Sequence, residues 1–206
     1  MRRICVFLCL SIFVSLIHAG SLSPSSKLAG QVHAQNMVQH DCHAKGDVTV
    51  EVTTYRSENY DPQSRKPEVN FGDSIDGDLS RRDFTINCLA LELTSKEPQF
   101  IDLFNGVEDL AKKLLRAPRD PRVLFSDDPL RMMRAARFAA QLDFSLDDSV
   151  LIAVKAMYER ITIISAERVR DELTKLLMSK NPRAGLSVLV DSGLASKVLP
   201  ELPQLK

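Results

Sequence analysis

Two short segments concentrate side chains able to do chemistry: Arg81-Arg82-Asp83-Phe84-Thr85-Ile86-Asn87, and Asp127-Asp128-Pro129-Leu130-Arg131-Met132-Met133-Arg134-Ala135-Ala136-Arg137-Phe138. In the first, Asp83 and Asn87 are four residues apart, which puts them on one face of a helix. Phe84 and Cys88 share that interval on a face that can pack. Arg, Asp and Asn together offer the donors and acceptors that a ribose with two hydroxyls would use, and any exposed polar helix face would offer the same. In the second segment, Asp128, Arg131 and Arg134 fall within about a third of a helix circumference. Met132, Ala135, Ala136 and Ala139 form an adjacent stripe that can pack. Ion pairs on a solvated helix would use the same spacing.

A sharper chemistry also fits the second segment. A carboxylate accepts from an amine, and a guanidinium donates to a ring nitrogen. Cytosine and adenine present an amine beside such a nitrogen on the pairing edge, which proteins read when the base is unpaired. Guanine and uracil present the opposite order and would leave buried polar groups unmatched. One Asp–Arg pair can therefore select C and A over G and U. Two other clusters say less. Lys112, Lys113, Arg116, Arg119 and Arg122 form a basic run opposed only by Asp120, suited to solvent or to phosphates. His40-Asp41-Cys42-His43 holds metal-ligating residue types, but it is short, has adjacent candidates and lacks a second half-site, so no zinc site is assigned.

The elements that must position these residues follow from periodicity. Val48 to Tyr55 alternates apolar and polar and reads as a strand. Residues 57–74 are polar with two prolines and read as a loop. A helix is expected from Asp78 through Ala90, which would carry the first segment. Leu91–Thr94 and Gln99–Phe104 flank a polar turn and suggest a hairpin. Val107–Leu115 reads as a short helix. After Pro118 and Pro121 four helices are expected, at about 128–142, 146–158, 166–178 and 182–192, with no convincing further strand. The fold class is α+β: a few strands with helices, then an all-helical part. Residues 1–46 are expected to be disordered and to pack little, 47–117 to form the mixed part and 118–206 the helical part.

Bulk composition narrows the function classes only a little. The chain has 206 residues, with 27 Lys plus Arg against 27 Asp plus Glu, so no overall field steers it toward nucleic acid or membrane. Four widely scattered cysteines do not make a disulfide scaffold. The N-terminus has the outline of a secretory signal: Arg2 and Arg3, an uncharged run from Ile4 to Ile17, then small and polar residues. That run is short for a membrane span, which needs ~20 residues.

The segment Arg81–Asn87 resembles, at every position, the second motif of the tRNA CCA-adding enzyme and poly(A) polymerase family of the bacterial type. Asp127 to Arg134 resembles its fourth motif, acid-Asp-x-x-Arg-x-x-Arg, with Asp where Glu is usual at the first position. Ile101 to Leu110 resembles the third motif and Ser165-Ala166-Glu167-Arg168 the fifth, both with structural roles. Ser165 is expected to cap a helix, with Glu167 in its first turn.

The resemblance implies the head of a nucleotidyltransferase followed by a helical neck and the start of a body. It implies that Arg82, Asp83 and Asn87 bind the nucleotide's sugar and phosphates. Asp128 and Arg131 would form the protein template for CTP and ATP, with Arg134 shaping the pocket and Arg137 in the same nucleotide-binding set. Lys112, Lys113, Arg116 and Arg119 would meet a tRNA 3′ end. Glu51 resembles the third carboxylate of a catalytic Mg²⁺ site, whose usual Gly-Gly turn and Asp-x-Asp pair do not precede it here; Asp76-Gly77-Asp78 follows it and reads as loop. The resemblance thus implies a fragment of an enzyme that adds C and A to RNA 3′ ends, inactive by itself. A non-catalytic nucleotide- or RNA-binding remnant and a secreted helical protein are the alternatives. The family reading places the chain in the cytoplasm, without a membrane or protein partner, against the signal-like N-terminus.

Overall fold

The computed structural model describes residues 5–7, 40–43, 49–52, 56–59, 68–71, 74–92 and 96–204. Five short strands come first: β1 (Cys5–Phe7), β2 (His40–His43), β3 (Thr49–Val52), β4 (Arg56–Asn59) and β5 (Glu68–Phe71). Helix α1 (Ile75–Ser80) and a 3₁₀ turn (Thr85–Asn87) lead to the hairpin β6 (Leu89–Glu92) and β7 (Gln99–Asp102). β1 joins this hairpin in a three-stranded antiparallel sheet with β6 at its centre, while β2 pairs with β3 and β4 with β5.

The expected hairpin is present, but three other expectations change. Residues 57–74 carry two paired strands instead of a plain loop. Ladder bonds are made by the backbone, so polar residues such as Arg56, Glu58 and Asn70 pair without an apolar period. The same reason admits His40–His43 opposite Thr49–Val52, and Cys5–Phe7 opposite Ala90–Glu92, inside a stretch expected to have no order; the rest of 1–46 lies outside the described residues. The expected helix from Asp78 to Ala90 stops at Ser80 and gives way to a turn and a strand. Asp78 and the β-preferring run Phe84-Thr85-Ile86 are buried, and packing of that run overrides helical spacing.

Helix α2 (Gly106–Lys112) is entered through Asn105 at φ 57°, and Lys113 at φ 55° closes it, so that the helix ends three residues short of Leu115. Asp102 fixes the entry: its Oδ1 accepts from the Gly106 N–H at 2.7 Å and its Oδ2 from the Val107 N–H at 3.0 Å. Leu114–Leu115 then makes a two-residue parallel bridge with Ser145–Leu146, a contact too short to leave a sequence period.

The helical part contains α3 (Pro121–Asp127), α4 (Leu130–Leu142), α5 (Asp148–Met157), α6 (Ala166–Leu177), α7 (Pro182–Ser192) and the short α8 (Ala195–Val198). α3 was not expected; its signals are Asp120, which caps it through the Arg122 N–H at 2.9 Å, and proline in the first turn. Helix α4 lies at the centre, against α6 and α7. Its expected stripe is buried: Met132, Ala135 and Ala136 have no exposure and Ala139 has 2%. Small residues let α7 come close. A Cβ on Gly185 would sit 2.7 Å from the Ala136 carbonyl oxygen, so only glycine fits there. Phe84, Ile86 and Leu115 belong to this same core, so packing runs continuously across residue 118. Among the described residues, no helix is long and apolar enough to cross a membrane.

Candidate functional site

The first motif segment leaves α1 as an extended turn that carries Asp83 into the interior. Asp83 is 7% exposed, and both its oxygens are used. Oδ1 accepts from the Phe84 N–H at 3.0 Å and from the Asn87 amide at 2.9 Å. Oδ2 accepts from Arg134 Nε at 2.7 Å and also from its Nη2. Asp83 and Asn87 therefore meet across a tight turn and not along a continuous helix. Burial pushes the Asp83 carboxyl up, but the Arg134 guanidinium and the Asn87 amide outweigh it and hold the group below the usual aspartate value. Burial would likewise lower Arg134, and the Asp83 carboxylate reverses that. Arg82 donates to the Asn87 carbonyl at 3.1 Å and to Asp78 at 3.2 Å.

The second segment divides where sequence spacing ran it together. Asp128 is not on the helix: it has extended backbone (φ −140°, ψ 100°) at the corner between α3 and α4. Its Oδ1 accepts from the Leu130 N–H at 3.1 Å, covering an unpaired donor at the start of α4. Its Oδ2 faces Arg168 Nη2 at 3.4 Å. Arg131 stands in the first turn of α4, 8% exposed, and its Nη1 is buried with no hydrogen-bond partner among the described residues. Such a donor costs about 1–3 kcal/mol, and more when charged. Arg137 is committed elsewhere. Its Nε donates to Glu172 at 2.6 Å, its Nη1 to Gln141 at 2.9 Å, and its guanidinium lies 4.1 Å from the centre of the Phe138 ring.

The basic run is largely paired within the chain. Lys112 bonds Glu108 at 2.6 Å; Arg116 bonds Asp109 at 2.8 Å and the Phe104 carbonyl at 2.6 Å; Arg119 pairs with Asp127. Among the described residues, Lys113 has no ion-pair partner. Ser165 does stand at the cap position of α6, yet its hydroxyl makes no capping bond. Cys88 is buried, its thiol donating toward the Leu79 and Phe84 carbonyls at 3.2 Å, and burial pushes it up to about 12, which makes it inert. Glu51 lies in β3 opposite Asp41 of β2; its side chain lies outside those described. Among the described residues, no group of three His, Cys, Asp or Glu side chains is placed to hold a metal ion.

Two residues of this region were missed or assigned only a helix-terminal role in the sequence. Arg168 and Glu172, four apart on α6, reach Asp128 and Arg137 respectively. Their i, i+4 spacing was the available signal, and it does not reveal which helix they face.

Residues 25–116 match the family model described as the poly(A) polymerase head domain, and residues 143–205 match the probable RNA- and SrmB-binding site of polymerase A. A CCA-adding enzyme of Lactobacillus helveticus (strain DPC 4571) is 42% identical over 154 residues. The chain belongs to the CCA-adding enzyme and poly(A) polymerase family. It spans 74% of its own length in that alignment but only 38% of the relative's. Among solved structures of this family, the Bacillus stearothermophilus CCA-adding enzyme in complex with CTP is 31% identical with a TM-score of 0.66, covering 77% of this chain and 38% of that one. A tRNA nucleotidyltransferase complexed with a primer tRNA and an incoming ATP analog is 27% identical with a TM-score of 0.62, covering 76% and 43%. The head model begins at residue 25, within the stretch 1–46 expected to be disordered and to lie outside the mixed part.

Proposed function

We propose that this chain is the nucleotide-selecting portion of a tRNA nucleotidyltransferase that adds C and A to RNA 3′ ends, acting in the cytoplasm. The observation that carries this reading is the buried, unpartnered Arg131 Nη1 three residues after the Asp128 carboxylate. A guanidinium N–H held out of water calls for an acceptor, and the ring nitrogen of cytosine or adenine is one. Asp128 then accepts from the neighbouring amine. The two relatives of known structure, one complexed with CTP and one with an ATP analog and primer tRNA, support nucleotide and tRNA as partners.

The remaining nucleotide-binding residues divide by what they touch. Arg82 and Asn87 are assigned to the sugar and phosphates. Asp83 and Arg134 are assigned to the same site as a pair, each orienting the other, and Arg137 enters it through Phe138 and Glu172. Lys113 is the first candidate for a phosphate contact to tRNA, with Lys112, Arg116 and Arg119 reaching RNA only by sharing or leaving their carboxylates. The mixed part at 47–117 and the helical part at 118–206 are assigned as head and as neck with the start of the body.

In this family Mg²⁺ would polarise the transferred phosphate and lower the barrier to attack by the RNA 3′-hydroxyl. The described residues do not fit it: no Asp-x-Asp precedes Glu51 in the sequence, no three acidic, histidine or cysteine side chains are grouped among the described residues, and Mg²⁺ demands near-ideal octahedral geometry. The 206-residue chain alone is therefore proposed to add no nucleotide to a tRNA ending before CCA. Incorporation of labelled CTP or ATP, abolished by Glu51→Ala, would overturn that.

The selection reading is tested by measuring the affinity of all four nucleotides. CTP and ATP are expected to bind more tightly than GTP and UTP. Asp128→Ala or Arg131→Ala should each remove about 1.5–3 kcal/mol from the preferred pair, roughly a factor of ten to a hundred. Arg116→Ala should leave the preference unchanged. Equal affinity for the four nucleotides, or no response to Asp128→Ala, removes the assignment.

A further inference from the structure

We propose that Arg168 is a positioning residue for base selection, fixing the rotation of the Asp128 carboxylate from helix α6. The inference rests on the selection reading above and extends it to a residue that touches no base. Asp128 lies outside the regular helix, so no helical packing holds its side chain. Two contacts do. The Leu130 N–H holds Oδ1 at 3.1 Å, and Arg168 Nη2 faces Oδ2 at 3.4 Å. With Oδ1 alone held, the carboxylate can still turn about its bond to Cβ, because that torsion is broad. A second, charged contact on Oδ2 removes the freedom. It also leaves one acceptor direction on Oδ2 open, since a carboxylate oxygen takes two donors.

Arg168 is itself well placed for this task. Its side chain is 55% exposed against 23% for that of Asp128, so it approaches from the solvent side. Four residues on, Glu172 is buried and grips Arg137, which anchors α6 against α4 at the next turn. The same face of α6 thus carries both the anchor and the arm. Arg168 and Glu172 set the position of the two ends of the Asp128–Arg137 segment relative to each other.

The test is the ratio of CTP to UTP affinity, measured by calorimetry on the 206-residue chain for the unmodified protein and for Asp128→Ala, Arg168→Ala, Arg168→Lys and Arg170→Ala. Asp128→Ala should abolish the ratio. Arg168→Ala should lower it about fivefold, through CTP and not UTP. Arg168→Lys keeps a charge but not the fork and should recover part of the ratio. Arg170, which is 72% exposed with only a 3.9 Å contact to Asp171, should leave it unchanged. If Asp128→Ala abolishes the ratio and Arg168→Ala leaves it intact, raises it, or weakens CTP and UTP in parallel, the positioning role is overturned while the selection reading stands. If the unmodified chain has no preference, binds neither nucleotide, or keeps its preference in Asp128→Ala, the selection reading falls and the positioning role falls with it.

Discussion

Replacing Gly106 with alanine is expected to cost about 3 kcal/mol or more of folding stability, the upper range for inserting atoms into a packed interior. The added Cβ would sit 2.3 Å from the Thr85 carbonyl oxygen and 2.9 Å from its carbonyl carbon. Neither is the free end of a side chain. Thr85 cannot move aside cheaply, because its N–H donates to the Arg116 carbonyl at 2.8 Å and its hydroxyl to Asp109 at 2.6 Å. Asp109 in turn is held by Arg116. The substitution must therefore open the joint between the 3₁₀ turn and α2, or push α2 outward. Urea denaturation should give a midpoint lowered in proportion, and an unchanged midpoint would mean that the two elements are not packed as described. By comparison, alanine at Gly77 meets only the Ser74 hydroxyl at 3.3 Å and should be nearly neutral.

The Asp83→Asn variant should lose about 2–3 kcal/mol at neutral pH, less than the 3–5 typical of a fully buried ion pair, because the Arg134 side chain keeps 35% exposure. The isostere retains the acceptor for Asn87 but removes the carboxylate that Arg134 bonds directly, leaving it only the more distant charges of Glu172 and Asp128. The pH dependence follows from the depressed Asp83 carboxyl. Folding lowers the pKa of this group, so its contribution is complete above the unfolded aspartate value of about 3.9 and disappears as pH falls through the lower folded value. The gap between the parent chain and Asp83→Asn should therefore hold from neutrality down to about pH 5 and close below about pH 4. A gap that stays constant through that acid range would show that the pair contributes through shape and not charge.

Periodicity made the helical half of the chain legible, and the reason is physical. Met132, Ala135, Ala136 and Ala139 keep a helical repeat because one face of α4 is fully buried, and α7 ends at Ser192 as read because Gly193 supplies the left-handed residue at φ 85°. The mixed half was less legible. Its strands are four residues or shorter, too brief for an alternation to stand out, and Glu68–Phe71 follows directly on Pro62 and Pro67, which mark the stretch as loop. The stretch from Asp83 to Asn87 misled in an instructive way. Its i, i+4 spacing brought Asp83 and Asn87 together as expected, but through a tight turn, so the proximity was right and the element wrong.

For the site, residue types were enough to single out Asp128 and Arg131, and the structure separates their settings. Corner and helix differ because Pro129 stands at the cap of α4 and its ring disfavours helical backbone at the residue before it, which leaves Asp128 extended and outside the helix. Arg137 was read as a nucleotide contact, and its tight bonds to Glu172 and Gln141 could not be foreseen. A partner 35 residues away leaves no local signature. The pairing of the basic run left no local signature either: Arg116 and Arg119 look free in sequence, while Asp109 and Asp127 pair with them in space.

The entry to α2 has a bearing on how the protein ages. Asn105-Gly106 is the dipeptide in which a backbone nitrogen most readily attacks the preceding side-chain amide, because glycine has no Cβ to obstruct the approach. The ring forms with loss of ammonia, and water then opens it mainly to an isoaspartyl link, which lengthens the main chain by one methylene. Asn105 is on the surface, so solvent does not prevent the reaction. The attacking nitrogen, however, is the one whose proton is given to the Asp102 carboxylate at 2.7 Å, and its residue is buried against Thr85. An acceptor of negative charge disfavours loss of that proton and holds the nitrogen away from its target. Asp102 thus serves the chain over time as well as in folding: it protects the joint from slow chemical damage for as long as the native state persists, and the exposure returns each time the segment opens.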